Sequence, residues 1–169
     1  MPDPRFWNVS PADRSRSYPC ERYAGPGHQL LLRAVDVEAE PETVFRWVCQ
    51  LRAAPYSYDL VDNLGRRSPR RLTPGLDELA VGQRFAVVAR IVEFEHGRQV
   101  TAVTPATRLF GKVAFTYDVR PTEHGSRLVG ALTVEAVNAV QRVRRSALAW
   151  GDLVMMRKQL LTLKGLAEG

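Results

Sequence analysis

The sequence predicts an α+β domain in which a curved antiparallel sheet wraps around a long C-terminal helix. Three observations carry this prediction. Between Ser146 and Ala167, Trp150, Leu153, Val154, Met156, Leu160, Leu161 and Leu163 recur at three- and four-residue spacing, an apolar stripe that needs a large partner surface. From Gln83 to Ala136, alternating apolar runs follow one another through short turns, the pattern of an antiparallel meander. The chain has 169 residues and is 45% hydrophobic, enough to bury one sizeable core. A twisted meander curls, and the helix fits along its concave side, leaving an apolar cavity where the two do not fully close.

Residues 1–27 are rich in Pro, Ser, Arg and Gly and read as an irregular arm, but Phe6, Trp7, Tyr18 and Tyr23 make part of it pack on the domain formed by residues 28–169. Gln29 to Val37 reads as a strand, apolar on both faces in its first half, with a clear inward phase only at Val35 and Val37. Glu40-Pro41-Glu42 opens a helix, since proline suits the first helical position and glutamate the positive end of the dipole. Val44, Trp47, Val48 and Leu51 form its buried stripe, and Ala54-Pro55 ends it. Tyr56 to Gly82 is the least regular stretch, with a short helix expected near its start and a turn at Thr73-Pro74-Gly75. Phe85, Val87, Ala89 and Ile91 then alternate, and a phase slip to Val92 and Phe94 predicts a bulge or a strand break. Gln99–Val103 is a short strand. Val113, Phe115, Tyr117 and Val119 form the cleanest alternation, and a hairpin loop at Thr122 to Gly125 leads to the last strand through Leu128, Gly130, Leu132 and Val134. A separate helical turn is expected at Val140 to Arg145, ahead of the long helix.

The formal net charge is +6 and the pI about 9.8, with arginine dominating the basic side. This balance speaks to solubility and steering before it speaks to any partner. Cys20 and Cys49 are too few for a disulfide framework and lack metal-ligand spacing, so a buried thiol is the expectation for Cys49. The N-terminus has no signal-peptide pattern and no apolar run reaches a membrane span, so a cytoplasmic protein without membrane insertion is expected.

The runs RAVDVEAEPETVFRWVCQL, APYSYDLVDNLGRRSPRRLTPGLDELAVGQRF, FGKVAFTYDV and WGDLVMMRKQLLTLKGLAE resemble the SRPBCC superfamily. These are the START-like helix-grip proteins, which include the birch-pollen-allergen fold and the polyketide cyclase/dehydrase group. The similarity spans residues 18–167 and is of the kind seen in bacterial, notably actinobacterial, members. It implies six or seven antiparallel strands gripping the long helix around a hydrophobic pocket, with the strands not yet identified expected between Leu60 and Leu72 or near Ile91. The superfamily spans carriers, receptors, cyclases and oxygenase domains, so the fold does not decide the chemistry.

Tyr56, Ser57, Tyr58 and Asp59, with Asp62 and Asn63, form the richest polar and aromatic cluster, suited to the mouth of a pocket or, equally, to a turn closing the end of the sheet. Tyr117 shares the phase of Val113 and Phe115, which makes its hydroxyl either a ligand partner or a core group bonded to backbone. Trp47, Phe85, Phe94, Phe115 and Trp150 are candidates to line the cavity. His28, His96 and His124 lie at a strand start and in turns, with no histidine pair and carboxylate at helical spacing, so neither a metal nor another cofactor is called for. The Arg66, Arg67, Arg70, Arg71 cluster and the Arg142, Arg144, Arg145 cluster come without interleaved aromatics or a recognition helix, which argues against nucleic acid. The expected activity is binding of a small hydrophobic or aromatic, lipid- or polyketide-like ligand. The alternatives are a cyclase, aromatase or dehydratase using a pocket Tyr and Asp, and an RNA- or protein-docking module using the arginines.

Overall fold

The chain turns back on itself wherever a turn residue interrupts an alternating run, and the result is one sheet with one dominant helix. The computed structural model describes residues 3–56, 64, 67–106, 111–135 and 139–169, with the side chains of 139–150 left aside. The elements are β1 (Phe6–Trp7), α1 (Pro11–Arg14), β2 (Gln29–Val37), α2 (Pro41–Cys49), β3 (Arg84–Phe85), β4 (Ala89–Glu95), β5 (Gln99–Val103), β6 (Val113–Thr122), β7 (Gly125–Val134) and α3 (Ala139–Ala167). The seven strands lie in the order β1-β2-β7-β6-β5-β4-β3, and only the β1–β2 pair is parallel. The strands that the sequence pattern had not identified are β1 and β3.

The phase slip in β4 is real: the pairing with β5 shifts register between Ile91 and Glu93. The run expected to continue from Phe85 to Ile91 instead splits into β3 and β4, joined by a turn with Ala86 at φ 43° and Val87 at φ 72°. Alanine and valine carry no turn signal, so the hairpin was hidden in an apolar run. The long helix begins at Ala139, and the separate turn expected at Val140 to Arg145 is part of it. No proline or glycine lies between Ala139 and Trp150 to break it.

The sheet is covered on both faces. On the inner face, Val35, Val37, Phe115, Tyr117, Val119 and Leu128 pack against Val44, Trp47 and Val48 of α2 and Met156, Leu160 and Leu163 of α3. On the outer face, Leu32, Ala34, Ala114, Val129 and Ala131 pack against Tyr18 and Cys20. This double burial is why the first half of β2 is apolar in both phases.

Residues 3–27 are pinned to the outer face by polar contacts as well as apolar ones. Asp13, buried, accepts from Ser10 N at 2.9 Å and from Arg127 Nη2 at 2.8 Å. Arg120 Nη2 donates to the Tyr18 hydroxyl at 3.1 Å, which itself donates to Asp13 O at 3.0 Å. Burial alone would raise the Asp13 carboxyl, but the Ser10 and Arg127 donors outweigh it and hold it below the usual range.

The inward row of α3 differs from the hydropathy stripe. Met156, Leu160 and Leu163 are buried, whereas Val154, Met155 and Leu161 stay 51%, 42% and 41% exposed. The expected inward position of Val154 and Leu161 is therefore corrected. Asp152 and Gln159 share the inner row instead, because each finds a polar partner on the sheet side.

Candidate functional site

Strand register sets the floor of the site. Arg33 pairs with Gly130, Gly130 with Tyr117, and Tyr117 with Val100, so these four residues form one row across the inner face. Gly130 leaves a gap between two large side chains, and Met156 of α3 fills it. A Cβ at position 130 would lie 2.5 Å from Met156 Cε, closer than carbon atoms approach without a shift.

Beside this gap the helix makes two polar contacts with the floor. The Tyr117 hydroxyl donates to Gln159 Oε1, and Gln159 Nε2 donates to Pro55 O just after α2. One glutamine thus ties β6, α3 and the end of the α2 segment together. Burial, and secondarily the Asp152 charge, pushes the Tyr117 hydroxyl far above its ordinary pKa, so it stays protonated.

The second contact is ionic. Arg33 is fully buried, and its Nη2 donates to Asp152 Oδ2 at 3.1 Å. Its Nη1 donates to Arg5 O at 2.6 Å and Leu32 O at 3.0 Å. Burial lowers the Arg33 pKa against the pull of Asp152. Burial also raises the Asp152 carboxyl to about 6, against the opposing pull of Arg33. Yet a quarter of the Asp152 side chain, 25%, remains accessible, in contrast to 0% for Arg33. Asp152 Oδ1 has no partner among the described residues.

The aromatic wall stands on the other side of Tyr117. Ring centroids of Phe85 and Phe115 lie 6.2 Å apart, those of Phe85 and Tyr117 6.1 Å, and those of Phe115 and Tyr117 6.0 Å. Trp47 and Tyr56 meet edge to face at 6.3 Å. Trp47, Tyr56, Phe85, Phe115 and Tyr117 thus belong to one core cluster, with Phe94 half-buried against it. Tyr58 and Asp59 lie outside the described residues, as does the side chain of Trp150. Arg67, Arg70 and Arg71 are exposed, while Arg66 and the side chains of Arg142, Arg144 and Arg145 lie outside the described residues. Among the described residues, no group of three or more His, Cys, Asp or Glu is placed to hold a metal.

Lys164 Nζ donates to Asp36 O, while Asp152 meets Arg33 three residues nearer the start of β2. The helix therefore runs in the same direction as β2, and its first half extends towards the Gln29 end of that strand. On the inner face at this end, Val113 and Leu132 are only half-buried.

Sequence reasoning missed Arg33, Asp152, Gln159 and Met156 as site-building residues. A signal existed for the first: an arginine in the same phase as Leu31, Val35 and Val37 is a charge on a core face.

No family model and no curated protein matches the chain by sequence. Solved structures do match by fold. A protein from Mesorhizobium loti superposes with a TM-score of 0.50 at 16% identity, over 82% of this chain and 96% of that one. The solution structure of the KanY protein matches with a TM-score of 0.53 at 18% identity, over 85% of this chain and 99% of that one. The di-domain ARO/CYC StfQ from the steffimycin biosynthetic pathway matches with a TM-score of 0.54 at 13% identity, over 83% of this chain and 51% of StfQ. At these identities the likeness speaks for the backbone and not for the chemistry. No helix among the described residues is long and apolar enough to cross a membrane. With seven strands in one mostly antiparallel sheet and the C-terminal helix on its inner face, the chain has the helix-grip fold of the SRPBCC proteins.

Proposed function

We propose that this protein binds a small apolar or aromatic molecule between the inner face of the sheet and α3, in the domain of residues 28–169. One observation carries the reading. The Phe85, Phe115 and Tyr117 rings form one aromatic wall on the inner face, and the Asp152 carboxylate, close enough to act on the Tyr117 hydroxyl, keeps 25% of its side chain accessible. An apolar wall with few polar groups is how small-molecule sites are built. The driving force is burial of ligand area, at about 25 cal/mol per Å². Phe85, Phe94, Phe115, Trp47, Tyr56 and Trp150 supply the wall in this reading, and Tyr58 and Asp59 its polar rim. Tyr117 contributes its ring, because its hydroxyl is committed to Gln159.

The cyclase or dehydratase alternative has less support. Tyr117 is held protonated and engaged by Gln159, which suits a fixed donor and not a proton carrier.

Native mass spectrometry of protein purified from its own host tests the proposal. The expected result is a retained mass of a few hundred daltons that leaves on denaturation. Absence of any adduct, together with no thermal shift against polyketides, sterols and fatty acids, contradicts it.

A further inference from the structure

Asp152 is an unusual group for the sheet-facing row of α3. Its Oδ2 is held by Arg33, which is wholly buried and anchored on the carbonyls of Arg5 and Leu32. Its Oδ1 has no partner among the described residues, and the side chain keeps 25% of its surface accessible. On α3 it lies on the same row as buried Met156 and Gln159, so it is turned towards the sheet. A half-satisfied carboxylate in such surroundings is costly unless something donates to it.

We propose that Asp152, fixed by Arg33, is the polar anchor of the apolar site and selects ligands that carry a neutral hydroxyl donor, such as a phenol or an alcohol. This rests on the binding function proposed above and names the ligand chemistry of that site. Charge and burial exclude the other classes. An anionic ligand meets the Asp152 carboxylate first, because Arg33 has no accessible surface to offer it. A cationic ligand must shed its hydration against an ion pair whose net charge is already zero, a penalty a hydroxyl avoids. A purely apolar ligand leaves Oδ1 dehydrated and unpaired.

The anchor is also sensitive to pH. Among the described residues, the titratable groups facing Asp152 from the packed elements are Arg33 from β2 and Tyr117 from β6, while β7 presents Gly130 in that row. On its own helix, Arg157 lies outward over the Trp7 ring, 5.4 Å from its centroid. With the carboxyl raised to about 6, the charged acceptor is lost as the solution turns mildly acidic, and only a weaker neutral one remains.

The test compares β-naphthol with its methyl ether, two probes of one apolar body that differ in the donor. Binding is followed by intrinsic fluorescence in wild type and Asp152→Asn, whose melting curves report folding. At about pH 7.5 wild type should prefer the naphthol by about tenfold, the worth of one hydrogen bond to a charged acceptor. The ratio of naphthol to ether affinity should fall in Asp152→Asn, whatever the change in ether affinity alone, and wild type should lose the preference near pH 4.5, where β-naphthol itself remains neutral. Equal binding of both probes to wild type overturns the anchor and leaves the apolar site standing. A naphthol preference unchanged in Asp152→Asn or across this pH range also overturns the anchor. The pH arm needs no variant, so it decides the matter if Asp152→Asn does not fold. Failure of wild type to bind either probe overturns the binding function and the anchor with it.

Discussion

The Tyr117 hydroxyl donates to Gln159 where water does not reach, so removing it strands the glutamine oxygen. Tyr117→Phe should lower stability by about 1–3 kcal/mol in urea denaturation, the cost of an unsatisfied buried acceptor. A change below about 0.3 kcal/mol would show that the contact carries no net stability. Asp152 makes a different prediction, and its sign follows from the direction of its shift. Burial raises its native carboxyl to about 6 from the ordinary 3.8, so the folded state holds the proton more tightly than the unfolded chain. Its contribution is present in full below pH 3.8 and is lost as the pH rises through about 6. The stability difference between wild type and Asp152→Asn should therefore move against wild type across that window, by on the order of 3 kcal/mol. A flat difference would place Asp152 in a solvated setting. Both residues show why this level of the site was hard to read in the sequence. Hydropathy assigns Arg33, Asp152 and Gln159 to the surface, and only the Arg33–Asp152 pair and the bonds of Gln159 to Tyr117 and Pro55, set by the register of three strands against one helix, account for them on the inner side.

Elements were legible where apolar residues alternate with polar or small ones, even though both faces of the sheet are covered. The alternation through Val113, Phe115, Tyr117 and Val119 has that form, and β6 is found where it was expected. The β3–β4 hairpin was not legible, because its turn is built from Ala86 and Val87 in the left-handed region. A β-branched residue pays for that conformation, so Val87→Gly, at an exposed position, should raise the unfolding free energy by about 1 kcal/mol. A loss of stability instead would mean that the valine side chain holds the turn through contacts. The β6–β7 hairpin depends on glycine for a different reason. Gly125 has φ 138°, and a Cβ there would lie 2.2 Å from Val37 O and 2.9 Å from Ala39 N, both backbone atoms that cannot step aside cheaply. Gly125→Ala should cost about 3 kcal/mol or more, or prevent folding, as seen in the melting temperature. A neutral Gly125→Ala would contradict the close approach of β7 to the β2–α2 connection.

At the scale of the whole molecule, the helix-grip fold follows from two features that sequence pattern reports well, a meander and a long C-terminal helix. What the pattern does not report is how residues 3–27 close the outer face. They do so through the charges of Asp13, Arg120 and Arg127 as much as through Phe6, Tyr18 and Cys20. The cover matters to the site, because Arg5, just ahead of β1, supplies the carbonyl that holds Arg33, and Arg33 in turn holds Asp152. The candidate aromatic wall was legible at Phe85, Phe115 and Tyr117, since aromatic residues in one phase share a face. Its polar member was not. The most direct test of the account is amide chemical-shift mapping in solution during titration with the methyl ether of β-naphthol. The account predicts shifts concentrated on the inner-face row at Gly130 and Tyr117, on Phe115, and on α3 from Asp152 to Gln159. Shifts confined to the outer face around Tyr18 and Cys20, or none at all, would contradict a binding site between sheet and helix.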